Sequence, residues 1–367
     1  MNRRQLLAAT AATTLFGQMR IDYASEEPSL RDLARRCGLR YGAESDAPLP
    51  QTPREFQNLF IEHCDLLATR LDWHYVRPDL DKADPSREDP NIGFARDHNM
   101  SLTGGHLIWY HSSPAWFEQI TDRAAMARAM SDHITLMMKR YHGQVFSWNV
   151  VNEAIDLRSG RNDGLRDWSA LRMMGPDYID HAFRSARAAD PQALLVYNDH
   201  SLDMDSSDHE QRRNALLRLL DQLAGNRTPI DAIGLQSHLR LDGSSFDQKR
   251  YRDFLRQIAA RNLHILITEL DVFDLEAASD PQVRDRDVAD MYSRFLDAAL
   301  DEPAVIAVVN WGLSDKYTWL SPAYNPRYVR ADGQPSRPLP FDANFKSKPA
   351  FIAIADALRR APHRAQV

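Results

Sequence analysis

Two glutamates in this chain close apolar runs. Glu153 ends Trp148-Asn149-Val150-Val151-Asn152-Glu153, and Glu269 ends Ile265-Leu266-Ile267-Thr268-Glu269, with Asp271 just beyond it. A carboxyl at the tip of a buried strand can act as acid, base or nucleophile once its surroundings decide whether it keeps its proton. A pair does more. One carboxyl can protonate a leaving oxygen while the other attacks the carbon that oxygen leaves, provided their pKa values are held apart. Side chains able to impose that difference close two further runs, Gln236-Ser237-His238 and Asn198-Asp199. His238 can hydrogen-bond Glu269, and Asp271 can fix the orientation of the imidazole. A single glutamate at a strand tip reads more simply as an ion pair or a helix cap. Two of them, accompanied by Asn152, Gln236 and His238, read as chemistry.

Such residues need a scaffold that brings strand tips together. Eight apolar or β-branched runs read as strands: Leu39 to Glu44, Leu66 to Asp72, Ser101 to Trp109, Val145 to Glu153, Ala193 to Asp199, Ala232 to His238, His264 to Asp271 and Val305 to Leu313. Successive runs start far enough apart for a helical crossover. The alternation predicts an α/β fold, a (β/α)₈ TIM barrel in one domain, in which the C-terminal strand tips converge on one mouth and strands four and seven face each other across it. Met126, Met130, Ile134, Met137 and Tyr141 share one helical face and read as core packed against the barrel. A second helix runs from Tyr178 to Ala188 and is stopped by Asp190-Pro191. The segment Asp203 to Asp208 faintly resembles a calcium loop but lacks the glycine, and carries Asn214 where the bidentate glutamate should be. It reads as a solvated loop entering a helix.

Composition bounds the partners. The chain has 367 residues, 43% hydrophobic, with 45 Lys+Arg against 51 Asp+Glu, so it lacks the basic excess of a polyanion-binding surface and nucleic acid is not expected. Thirteen histidines raise the question of a metal-dependent hydrolase, but no His-x-His strand tip or His-Glu-x-x-His helix occurs, and neither metal nor cofactor is expected. Cys37 and Cys64 are too few for a disulfide scaffold and read as small buried hydrophobes. The start, Met-Asn-Arg3-Arg4 followed by the apolar stretch Leu6 to Phe16, resembles a twin-arginine export signal. That stretch is shorter than the ~20 residues needed to span a bilayer. Residues 1–30 therefore read as an export signal with a flexible N-terminus, and 31–367 as the catalytic domain of an exported monomer, periplasmic or secreted, without stable membrane insertion.

With these residues in order, the chain resembles glycoside hydrolase family ten, the retaining endo-β-1,4-xylanases, over about residues 37–358. The resemblance is carried by Gly105-His106 through Tyr110-His111, Trp148 to Ala154, Ala188 to Asp199, Asp231 to His238, Ile267 to Asp271, Trp311 to Trp319, and Lys348-Pro349-Ala350. It implies hydrolysis of a β-1,4-linked polysaccharide with Glu153 as acid/base and Glu269 as nucleophile. It also implies that Asn152 contacts the 2-hydroxyl of the sugar being cleaved, and that His106, Gln236, His238, Tyr110, Asn198, Trp311 and Trp319 line the substrate site. The departures matter as well. The family's second strand usually ends Glu-Asn-x-Met-Lys-Trp, where this chain reads Ala68-Thr69-Arg70-Leu71-Asp72-Trp73. Tyr110 stands where a tryptophan is usual, Asn149 replaces an aspartate and His200 a tyrosine. Exchanging a cation for the Asp72 anion is expected to change which hydroxyls or substituents the site favours, unless Arg70 supplies the charge. Alternatives to xylan are a bacterial exopolysaccharide or another modified β-glycan, and the alternative to catalysis is a carbohydrate-binding relative that has lost it.

Overall fold

Val305-Ile-Ala-Val-Val is an unbroken apolar run, and every residue from Val305 to Asn310 is buried, as expected for a parallel strand covered on both faces. In the computed structural model, which describes residues 29–365, it is the last of eight such strands. They are β1 Arg40–Glu44, β2 Leu66–Ala68, β3 Ser101–Gly104, β4 Val145–Asn152, β5 Leu194–Asp199, β6 Ala232–Leu235, β7 His264–Phe273 and β8 Val305–Asn310. Each pairs in parallel with the next, and β8 closes on β1 with Arg40 opposite Ala307 and Gly42 opposite Val309. The predicted TIM barrel is therefore present. Two short strands, Ile108–Trp109 and His238–Arg240, lie beside the upper ends of β4 and β7.

Two apolar layers hold the barrel. Leu66, Ala68, Val196, Ala232, Leu266, Ile306, Ala307 and Val309 form the small cluster within it. A larger cluster lies between the strands and the helices around them. Helix Arg123–Arg140 is representative: Asp122 caps it by accepting the Ala125 N–H, and Met126, Met130, Ile134 and Met137 are fully buried. The methionine stripe is core, as expected. Helix Asp177–Ala189 ends at Asp190 before Pro191. The calcium-like segment does enter a helix, Ser207–Gly225, capped by Ser206. Asp203 in that segment is buried and accepts the Ser237 hydroxyl, while Asp205 pairs with Arg250.

The strand tips depart from the sequence reading. β2 stops at Ala68 rather than Asp72, β3 at Gly104 rather than Trp109, β6 at Leu235 rather than His238, and β8 at Asn310 rather than Leu313. Burial outlasts the regular ladder, since Leu71, Leu107, Gln236 and Leu313 are still buried beyond these ends, and single backbone bonds such as Leu71 N–H to Gly105 O persist where the strands begin to diverge. Glu153 and Ser237 mark the divergence, with φ of 57° and 60°. β7 instead runs on to Phe273, because His238–Arg240 pairs alongside it.

Cys37 and Cys64 are free and buried. The Arg3-Arg4 pair and the apolar stretch after it lie outside the described residues. Helix Leu30–Arg36 begins inside the range read as a flexible N-terminus, with Ser29 as its cap and Leu30 fully buried. No helix among the described residues is long and apolar enough to cross a membrane.

Candidate active site

A cleft of about 740 Å³ opens at the C-terminal strand ends, and Glu153, Glu269, Asn152, Gln236, His106, His238, Trp311 and Trp319 all border it. Sequence alternation explains part of this convergence. On β7, Glu269 and Asp271 are two apart and so emerge on one side of the pleat, and His238 lies directly opposite Asp271 in the neighbouring short strand.

Glu269 is almost fully buried and every close contact suits a carboxylate. Oε1 accepts the Asn198 Nδ2–H at 2.8 Å and lies 3.7 Å from His106 Nε2, while Oε2 lies 3.3 Å from His238 Nε2. Burial alone would raise the pKa of this group. Hydrogen bonds and positive charge from His106 and His238 outweigh it and hold the carboxyl well below the ordinary range. The histidines respond in kind. Burial disfavours a charged His238, but the adjacent Asp271 carboxylate, 2.8 Å from Nδ1, and Glu269 raise it to about 10. His106 is raised to about 9 against the same burial, by Asp72 and Glu269. Asp271 uses its second oxygen to accept the Trp319 indole N–H at 2.7 Å, which fixes that wall of the cleft to the same network.

Glu153 has different company. Its Oε1 accepts from Gln236 Nε2 at 3.0 Å and Asn152 Nδ2 at 3.3 Å, both neutral amides. The nearest ring nitrogen, His200 Nε2, stands 3.9 Å from Oε2, and burial keeps that imidazole's pKa below its ordinary value. The backbone of Glu153 is clamped on both sides: its N–H donates to Asn198 O at 2.9 Å, and Arg166 Nε donates to its carbonyl at 2.9 Å. Amides connect the two carboxyls. Gln236 Nε2 reaches both Glu153 and Asn152 Oδ1, and Asn198 Nδ2 reaches both Asn152 Oδ1 and Glu269.

Two residues expected to touch substrate are placed otherwise. Asn198 is fully buried, with its donor spent on Asn152 and Glu269 and its carbonyl accepting from Thr268; it orients the site without facing the cleft. Tyr110 packs under the Arg166 guanidinium, 3.8 Å from the ring centre, and its neighbour Trp109 borders the cleft instead. The short strand ends at Trp109, and Tyr110 lies in the turn that follows it. Asp72 is also not the free anion its sequence position suggested. It is 1% exposed, with one oxygen 3.4 Å from His106 Nδ1 and the other 3.3 Å from Arg70 Nη2. Arg70 borders the cleft beside it. Sequence reading missed Arg166 as the clamp on Glu153, Trp109 as a wall and Asp72 as the partner of His106. Only Trp109 carried a usable signal, its place at the end of the run Ser101 to Trp109.

The profile of glycosyl hydrolase family 10 matches residues 29–357. The chain belongs to this family. As a family 10 protein it is a glycoside hydrolase, and the individual relatives agree. The endo-1,4-beta-xylanase B of Thermotoga neapolitana is 27% identical over 92% of this chain and 93% of its own length. The endo-1,4-beta-xylanase B of Paenibacillus barcinonensis is 31% identical over 90% of this chain and 98% of its own. Among solved structures, xylanase 10B of Thermotoga petrophila RKU-1, crystallised with xylobiose, superposes with a TM-score of 0.79 at 27% identity, covering 90% of this chain and 97% of that one.

Proposed function

We propose that this chain is a retaining endo-β-1,4-glycanase of the xylanase type, cleaving xylan or a related β-1,4-linked polysaccharide by double displacement. The observation that carries the reading is the contrast between the two carboxyls, joined by one run of amides. Glu269 sits between two histidines whose charge is favoured, and Glu153 between neutral amides and an imidazole whose charge is disfavoured. In the first step Glu269 attacks the anomeric carbon, the glycosidic C–O bond breaks, and Glu153 gives its proton to the departing oxygen. In the second, Glu153, now a carboxylate, takes a proton from water as the water oxygen displaces Glu269 from the sugar. Asn152, which uses one amide hydrogen on Glu153, has a second to offer a ring hydroxyl, the Gln236 carbonyl can accept from one, and Trp311 and Trp319 offer faces on which axial C–H groups pack.

Proton NMR of a β-xylan digest tests this. The newly formed reducing end is expected to appear first as the β-anomer, and Glu269→Gln is expected to lose activity by about 10³-fold or more with its fold intact. Initial release of the α-anomer, or full turnover by the variant, contradicts the reading.

The wall near Arg70 favours a second reading of the substrate. Thr69 donates its hydroxyl to Thr103 O rather than to the cleft, and Arg70, which borders the cleft there, is shared with Asp46 and Asp72. A β-glycan with a substitution pattern other than that of plain xylan fits this altered donor set, and a panel of β-glycans compared by kcat/KM separates the two. We also propose export through the twin-arginine signal, supported by Arg3, Arg4 and the apolar stretch after them. Replacing both arginines by lysine is expected to leave the protein in the cytoplasm, and unchanged fractionation refutes the proposal.

A further inference from the structure

Asp72 stands where the family resemblance leads one to expect a lysine that grips the sugar, yet its carboxylate faces inward. It occupies the N-cap position of the short helix Trp73–Val76, but its side chain makes no capping bond. One oxygen is given to His106 Nδ1 and the other to Arg70, which Asp46 anchors from behind. The far nitrogen of His106 then lies 3.7 Å from Oε1 of Glu269. On the other side of Glu269, Asp271 holds His238 Nδ1 and His238 Nε2 lies 3.3 Å from Oε2. Each oxygen of the proposed nucleophile therefore meets an imidazole whose opposite nitrogen meets a buried aspartate.

We propose that Asp72 is a positioning residue acting through His106, so that two aspartate–histidine pairs clasp Glu269, and that the Asp72 pair serves chiefly the step in which Glu269 is the leaving group. This rests on the double-displacement reading above. In that step the ester bond between the anomeric carbon and Glu269 breaks and its electron pair returns to the carboxylate. A water oxygen bonds to the carbon, and the water's proton goes to Glu153. A neutral ester gains little from neighbouring cations, whereas the re-forming carboxylate gains from both. The titratable and charged groups facing His106 are Asp72 from the loop after β2 and Glu269 from β7, with Arg70 behind Asp72 and His238 beyond Glu269; the Trp109 ring packs beside it, 4.9 Å between centroids. Burial opposes the charge on Asp72, but His106 and Arg70 overcome it and hold its carboxyl below the ordinary range.

The test uses an aryl β-xylobioside with a dinitrophenolate leaving group, which needs little protonation to depart and so leaves hydrolysis of the glycosyl-enzyme limiting. Asp72→Asn is expected to lower kcat roughly tenfold or more while kcat/KM stays within about threefold, because kcat/KM reports only steps through the first irreversible one. The glycosyl-enzyme should then accumulate, visible as added mass on the intact protein, and Asp72→Glu should recover part of the loss. Independently of any variant, the His106 ring in the wild-type protein is expected to remain protonated beyond pH 8 by NMR titration. Equal falls in kcat and kcat/KM without accumulation overturn the proposal, as does a neutral His106 at pH 7. A wild-type protein that releases no dinitrophenolate refutes the hydrolytic reading itself, and the His106 titration then decides the pairing alone.

Discussion

Asn198 borders no part of the cleft, yet the alignment of both carboxyls passes through it. Its amide donates to Glu269 Oε1 and Asn152 Oδ1, and its backbone carbonyl accepts from the Glu153 N–H. Asn198→Ala removes the side-chain donors and keeps the backbone bond. A hydrogen bond to a buried charge contributes about 1.5–3 kcal/mol, so a fall in kcat of about 10- to 100-fold is expected. Steady-state kinetics on xylan check it, and an unchanged kcat would show that Asn198 is passive. Residue by residue, what could be read in the sequence was what local geometry repeats. Glu269, Asp271 and His238 follow from strand alternation and register. The bond from Asp72 to His106 spans 34 residues and the clamp of Arg166 on Glu153 spans 13, both across irregular loops whose course no periodicity encodes.

At the level of the element, β6 contributes through a missing side chain. A Cβ on Gly234 would lie 2.2 Å from Asn198 Oδ1 and 3.0 Å from Thr268 Cγ2, so the strand passes close to the amide framework only because it carries no methyl there. Gly234→Ala is expected to cost about 1–3 kcal/mol through overpacking and to lower kcat with it. Gly225, the last residue of helix Ser207–Gly225, has nothing within 4 Å of the corresponding position. Gly225→Ala is expected to stabilise by about 0.4–1 kcal/mol without kinetic effect. Thermal melts paired with kinetics distinguish the two; equal behaviour would remove the special role of Gly234. The elements themselves were readable because their signals are long: eight apolar runs, and a methionine stripe over four turns. Their tips were not, since β2, β3, β6 and β8 end their regular pairing while burial continues into the residues after them.

Across the whole molecule, buried histidines divide into two classes that set opposite limits on stability. His238, raised to about 10, and His106, raised to about 9, stabilise the fold in their charged form. That contribution is full below the unfolded value of about 6.5 and is lost as pH rises through their folded values. Burial lowers His63 and His209 to about 4 and His133 to about 3. These three are neutral in the fold and take up protons on unfolding, so stability falls as pH drops from about 6.5 toward those values. Glu269, depressed, adds its own loss at still lower pH. The histidines therefore contribute most to stability near pH 6.5, and His106→Gln is expected to flatten the decline of Tm above it; an alkaline limb unchanged in that variant contradicts this.

The pairing of β8 with β1 carries a consequence for how the chain is made. Tyr41 donates its hydroxyl to Asn310 Oδ1 at 2.8 Å, across 269 residues of chain, and the barrel has no free edge only once Val305–Asn310 has arrived. Until then Arg40–Glu44 has one side unpaired, and the ribosome must deliver every residue up to Asn310 before it is covered. A message truncated ahead of Asn310 would therefore yield an open sheet with an adhesive border, even though Glu153 and Glu269 had both been translated.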